Sequence, residues 1–410
     1  MSHSKNVKLG EVVSFHTGKL NSNAETPNGA YPFFTCSQET LRTDTFSFDT
    51  EAVLLAGNNA NGIYPLKFFR GRFDAYQRTY IVRSRDEERL INRFLFYALQ
   101  PKLSLLKSIS TGAATKFLTL TILNDVELWL PHVATQRKIA AVLGTYDDLI
   151  ENNRRRIEIL EEIARRLYRE WFVKFRFPGH AHVPLTDSPL GKIPNGWRWS
   201  ILGEVLRELE SGSRPKGGID PKERGVPSIG AENINGLGKY DYSKERYVTR
   251  AFFEGMRRGV VKSGDVLLYK DGAHIGRKSL FRDGYPHLEC SINEHVFILR
   301  SNDTISQAYL FLWLNQEHMT QAIRNLNANA AQPGINQVGV KGLSILVPNR
   351  ETLSRFDAVV EPMLAELFNL AKRISILQTT RDLLLPRLIS GELEVSELPI
   401  AVEEAARDGE

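Results

Sequence analysis

The sequence predicts an α+β protein made by internal duplication, with two similar globular domains separated by two long antiparallel coiled-coil helices related by a pseudo-twofold. Three observations predict it: a repeat of very long period, short β-rich runs between turn residues in each copy, and a sustained 4-3 apolar alternation after each copy. A chain of 410 residues has room for two or three domains, each with its own core.

The repeat sets the order of elements. Leu130-Pro131 and Val347-Pro348 both close an apolar run ahead of a charged helical stretch, at an offset of 217 residues. That offset aligns Arg83-Ser84 with Arg300-Ser301, Ala113-Ala114 with Ala330-Ala331, Ala141-Val142 with Ala358-Val359, and Arg156-Ile157 with Arg373-Ile374. Small insertions shift it nearer the start, where Leu9-Gly10-Glu11-Val12 matches Leu202-Gly203-Glu204-Val205, and Val53-Leu54-Leu55 matches Val266-Leu267-Leu268. The expected domains are residues 1–131 and 190–348, each followed by a long helix at 132–175 and 349–391. A linker is expected at 176–189, within a stretch rich in Pro, Gly, His and Ser, and a solvated acidic tail at 392–410.

Within each copy, Ala52–Leu55, Thr79–Val82 and Val126–Leu130 read as strands, with Val266–Tyr269, His295–Leu299 and Leu343–Val347 as their counterparts. Helical stretches are expected at 88–99 and 305–313. The first long helix carries a seam of Ile139, Leu143, Tyr146, Ile150, Asn153, Ile157, Leu160, Ala164, Leu167 and Trp171. The second has Phe356, Val360, Met363, Leu367, Leu370, Ile374, Leu377, Arg381, Leu384 and Leu388 at the same register. Ordinary packing explains such stripes. Two seams in one chain can bury each other, and the helices would then act as a spacer. Pro362 should kink the second helix, whose regular part is expected to begin near there.

Composition narrows the chemistry. A net charge of +5 suits a polyanionic partner without requiring one. Cys36 and Cys290 have no metal-ligand spacing and read as reduced core residues, and His180 and His182 as loop residues. No apolar run reaches membrane-span length and no signal peptide is evident, so a cytoplasmic protein is expected. Phosphate-loop, His-Glu-x-x-His, Gly-x-Ser-x-Gly, Cys-x-x-Cys and Asn/Asp-Pro-Pro-aromatic motifs are all missing, which points to a non-catalytic chain with no cofactor or metal of its own.

The interstrand loops are the candidate chemistry. Asn58, Asn59 and Asn61 follow one apolar strand, and Lys270, Asp271, His274 and Arg277 follow its counterpart. Asn suits adenine, Arg and Lys suit guanine, and Asp accepts from cytosine, so two equivalent loops with different side chains suit one scaffold reading two DNA sequences. Gln77, Arg78, Lys116, Arg214, Lys216, Gln332 and Asn336 are further DNA-binding candidates, the basic ones more for phosphate than for bases. An ordinary turn is the competing reading of each loop. For the chain, the competing readings are a coiled-coil adaptor whose domains bind proteins and an enzyme with a divergent site.

Several segments together carry a specific likeness. Leu130-Pro131, Gln136-Arg137-Lys138-Ile139-Ala140, Tyr146-Asp147-Asp148-Leu149-Ile150-Glu151-Asn152-Asn153, Arg169-Glu170-Trp171-Phe172 and Leu384-Leu385-Pro386-Arg387-Leu388-Ile389-Ser390-Gly391-Glu392 resemble the specificity (S) subunits of type I restriction-modification enzymes, across about residues 8–392. The resemblance implies two target-recognition domains reading a split site in double-stranded DNA, with an unread spacer set by the helices. It implies two methyltransferase (M) subunits and restriction (R) subunits as partners, adenine N6 methylation, and S-adenosylmethionine, ATP and Mg on those partners. It also implies partner docking through Gln136, Arg137, Tyr146, Asp147, Asn152, Trp171, Phe172, Pro386 and Arg387. The second copy departs from the first at Leu353-Ser354-Arg355-Phe356-Asp357, so the second docking surface is expected to differ.

Overall fold

The computed structural model describes residues 5–59, 62–112, 115–220, 222–327 and 334–400. It is an α+β fold of two compact units. Unit 1 comprises residues 1–149 and 377–410, and unit 2 comprises residues 150–376. Both unit boundaries fall inside a long helix, because each helix contributes one end to each core.

Unit 1 holds a six-stranded sheet in the order Val13–Thr17, Thr79–Ser84, Phe48–Ala56, Leu66–Ala75, Tyr31–Phe34, Leu41–Thr43. Only the pairing of Tyr31–Phe34 with Leu66–Ala75 is parallel. The central strand Phe48–Ala56 is paired on both sides and buried from Ala52 onward, which is why Val53-Leu54-Leu55 is continuously apolar. Leu90, Phe94, Leu95 and Tyr97, around the helix Asn92–Leu99, pack with Val53, Leu55 and Val82, and with Ile139 and Leu143 of the first long helix.

Unit 2 holds an antiparallel sheet in the order Leu206–Ser211, Val296–Ser301, Asp265–Tyr269, Lys278–Phe281. A smaller sheet of Tyr247–Val248, Val226–Ile229 and Ser291–Ile292 lies in the same unit. The helix Gln307–Leu314 is buried on nearly every side, as its unbroken apolar sequence requires.

Both units open the same way. The strand Lys5–Lys8 pairs with Glu127–Leu130, and Arg198–Ile201 pairs with Ser344–Val347. A four-residue helix of sequence Leu-Gly-Glu-Val follows in each, with Leu9 N–H donating to Val126 O and Leu202 N–H to Leu343 O, both at 2.8 Å.

The long helices run over Val133–Tyr168, continued by a π-helical turn Arg169–Val173, and over Arg350–Ile389. In unit 2 their contacts run in opposite directions: Arg156 pairs with Glu366 at 2.8 Å, and the Trp171 ring packs tilted against Phe356 with centroids 5.6 Å apart. In unit 1, Arg381 pairs with Asp147 at 2.6 Å, and Leu385 and Leu388 share a core with Ile139 and Leu143. Asn153, the polar seam residue, is buried, and Arg381 keeps its place in the second seam through its ion pair.

Four expectations are corrected. The second helix does not begin near Pro362; it is continuous from Arg350, capped by Asn349 Oδ1 accepting from Thr352 N–H at 2.8 Å, with Pro362 on its exposed side. The tail is not free from residue 392. Val395 is buried, Leu393 and Ile400 pack on the same core, and Lys138 donates to the carbonyls of Ser396 and Leu398. The stretch expected to be a linker is tied down by the strand pair Leu185–Thr186 and Ile193–Pro194, with Phe177, Ile193 and Trp197 in the unit 2 core. Cys290 is buried as expected, but Cys36 is only half-buried and its thiol donates to Asn58 Oδ1 at 2.9 Å.

Candidate nucleic-acid interface

In unit 1 the central strand ends at Gly57-Asn58-Asn59, and two other segments close on it. Gly57 N–H donates to Arg78 O at 2.8 Å, and Leu118 N–H donates to Gly57 O at 2.9 Å. Asn58 and Asn59 then pair with Phe117 and Lys116 as a short antiparallel ladder. A Cβ on Gly57 would sit 2.6 Å from Arg78 O, so in unit 1 a larger residue here would have to shift that carbonyl. Asn58, Asn59, Gln77, Arg78 and Lys116 are thereby gathered at one sheet end. The Arg78 guanidinium lies 5.5 Å from the centre of the Phe117 ring. Gln77 and Arg78 are exposed, and Asn58, Asn59 and Lys116 are half-buried.

Unit 2 repeats this backbone pattern with other side chains. Lys270 N–H donates to His295 O at 3.0 Å, Ile335 N–H donates to Lys270 O at 2.9 Å, and Asp271 bridges Gly334. Its charges are paired: Asp271 Oδ2 lies 3.2 Å from Lys270 Nζ and 2.8 Å from His295 Nδ1, and Arg214 Nε lies 3.0 Å from Glu294 Oε1. Lys216, His274 and Arg277 are exposed on the neighbouring loops. Asn336 caps the helix Gln337–Lys341 by accepting from Gly339 N–H at 2.8 Å, the role that Thr119 plays for Leu120–Asn124. Asn61 and Gln332 lie outside the described residues.

Sequence reasoning passed over Glu294 and His295. They stand 217 residues after Gln77 and Arg78, so the offset already in hand would have found them.

The docking candidates divide. Arg137, Asn152, Pro386 and Arg387 are exposed, Arg387 with Glu392 at 2.8 Å, and Tyr146 is half-buried. Four others are corrected, because their side chains are used inside the fold. Gln136 is fully buried, its amide donating to Arg89 O and Pro131 O and its oxygen accepting from Ile91 N–H. Asp147 accepts from Tyr97 Oη at 2.6 Å and from Arg381 at 2.6 Å. Trp171 and Phe172 are core residues packed on Phe356, with Phe172 also against Tyr309 and Trp197.

Among the described residues no cluster of three or more His, Cys, Asp or Glu could hold a metal ion, and no helix is long and apolar enough to cross a membrane.

Known proteins place the chain. Residues 1–162 match the family model of the type I restriction modification DNA specificity domain. The specificity subunit of the type I restriction enzyme EcoDI from Escherichia coli is 27% identical over 394 residues, covering 90% of this chain and 83% of that protein. The MjaIX specificity subunit from Methanocaldococcus jannaschii is 26% identical over 312 residues, covering 75% and 71%. The fold is also that of the S subunit of a type I restriction-modification system from M. genitalium, at a TM-score of 0.61 and 16% identity over 95% of this chain and 96% of that one. In sequence the chain is thus similar to specificity (S) subunits of type I restriction-modification systems.

Proposed function

We propose that this chain is the non-catalytic DNA-reading subunit of a type I restriction-modification complex, recognising a two-part target and directing adenine N6 methylation and restriction by its partners. The observation that carries this reading is the same three-segment closure at the end of the central strand in both units, dressed with Asn58, Asn59, Gln77 and Arg78 in one and Lys270, Asp271, Glu294 and His295 in the other. A duplicated scaffold with equivalent loops and different side chains is what reading two different half-sites asks for.

Phosphate contacts from Lys116, Arg214, Lys216 and Arg277 would set register on the duplex, and loop side chains would meet base edges. The helices Val133–Tyr168 and Arg350–Ile389 form an antiparallel coiled coil that acts as the spacer ruler, each about 1.5 Å long per residue. Their exposed residues Arg137, Asn152, Pro386 and Arg387 belong to the surfaces for two M subunits, with R subunits joining for restriction. S-adenosylmethionine, ATP and Mg then belong to those partners, and an M subunit extrudes the adenine it methylates.

Modified-base sequencing of DNA from cells expressing this chain with its M partner tests the reading. The expected result is one methylated adenine motif made of two short half-sites and a fixed spacer. Shortening both helices by one heptad should change the spacer and leave the half-sites unaltered. DNA affinity that does not fall as salt rises would instead favour a protein-binding adaptor.

A further inference from the structure

We propose that Glu294 selects a base within the half-site read by unit 2, accepting the exocyclic amino group of a cytosine, and that Gln77 holds the corresponding position in unit 1. The inference rests on the DNA-reading function above and names the residue and base that carry part of it.

Position is the first support. Gln77 and Glu294 stand 217 residues apart, and each precedes the residue whose carbonyl receives the central strand, Arg78 O from Gly57 N–H and His295 O from Lys270 N–H. The two side chains therefore leave equivalent points of equivalent loops.

The surroundings of Glu294 are the second. Its Oε1 is held by Arg214 Nε at 3.0 Å and lies 3.4 Å from His295 Nε2, while its Oε2 is buried with no hydrogen-bond partner. The side chain keeps 30% of its surface exposed on atoms other than Oε2, so a base amino group reaches that oxygen by opening the recess. It lines a cavity of about 210 Å³ together with Ser228, Asn233, Arg246 and Tyr269. Ser228 is itself 5% exposed, and its hydroxyl also has no partner. A polar recess with an unmet acceptor is completed by an incoming N–H donor.

Chemistry selects the base. A carboxylate only accepts, which matches the single N4 amino donor of cytosine in the major groove, whereas a carboxamide donates and accepts and matches adenine N6 and N7. Glu294 and Gln77 thus give the two units different preferences at one equivalent position.

The test is modified-base sequencing of the wild-type, E294Q and Q77E chains, each in complex with the M partner. The wild-type half-site read by unit 2 should contain a C·G pair that E294Q no longer prefers, with discrimination falling about tenfold at that position alone. Q77E should alter one position of the other half-site. An unchanged motif in E294Q overturns the assignment, and so does a uniform fall in methylation with no change of preference, which is what a purely structural Glu294 predicts. A wild-type complex with no defined target would take down the DNA-reading function itself, and this assignment with it.

Discussion

At the position where unit 2 buries Arg300, unit 1 places Arg83. Arg300 is 4% exposed and meets Asp265 at 2.7 Å, Glu210 at 3.0 Å and also Glu208. Arg83 is half-buried, and its Nε has no partner. The candidate loops differ in the same sense: Asp271 pairs with Lys270 and lies 2.8 Å from His295 Nδ1, while Gln77 and Arg78 stand exposed, with Arg78 against Phe117. One backbone plan tolerates both, because the loops are fixed by main-chain hydrogen bonds that do not depend on side-chain identity. Stability can then be distributed differently in two copies without moving these loops.

The largest expected effect separates the two arginines. R300M leaves Asp265, 2% exposed, as an unpaired buried charge, and should cost unit 2 about 3–5 kcal/mol. R83M should cost unit 1 about 1 kcal/mol or less. Denaturant unfolding of the full chain followed by hydrogen exchange reads the two separately, and equal losses would break the comparison.

A smaller effect depends on pH. Asp357 stands where the first helix has Ala140, and burial pushes its carboxyl up to about 6 from 3.8, although Ser306 Oγ donates to it at 2.7 Å. Well below pH 3.8 the group is protonated in both folded and unfolded chains. As pH rises toward 6 the unfolded chain ionises first, so stability falls by on the order of 2 kcal/mol and stays lower above 6. D357N should abolish that loss in a melting-temperature series, and a slope that persists in the variant would assign it to another group.

The reader loops come next. N58A with N59A should weaken one half-site only and K270A with H274A only the other, by about 1–3 kcal/mol per affected base pair. Target selection from a randomised DNA pool measures both at once, and coupled changes would show that the units do not read independently. The smallest effect concerns the caps. T119A and N336A should each cost about 1 kcal/mol of stability and leave both half-sites as they were. A changed half-site in N336A would show that the residue also acts at the DNA surface.

Much of the fold was legible in the sequence because periodicity and burial coincide. The central strands at Val53–Leu55 and Val266–Leu268 are apolar without interruption and buried on both faces, and both seams repeat at helical spacing. The candidate loops were legible by position but not by contact. Nothing local to Lys270 or Asp271 announces His295, which reaches them from the turn before the adjoining strand, and nothing local to Gln136 announces that Arg89, Ile91 and Pro131 take up its whole amide. Trp171 and Phe172 read as surface through family likeness, yet an aromatic cluster with Tyr309 and Phe356 absorbs them.

The amino-acid sequence by itself determined the α+β class, the 217-residue offset between the copies and the register of the two seams, since each is a pattern of residue types along the chain. Only the tertiary structure decided which charges are cancelled, where Pro362 and the segment after Glu392 sit, and that Glu294 keeps an unpaired oxygen. Those outcomes depend on which side chain from a distant segment arrives within hydrogen-bonding distance, and spacing along the chain carries no record of that.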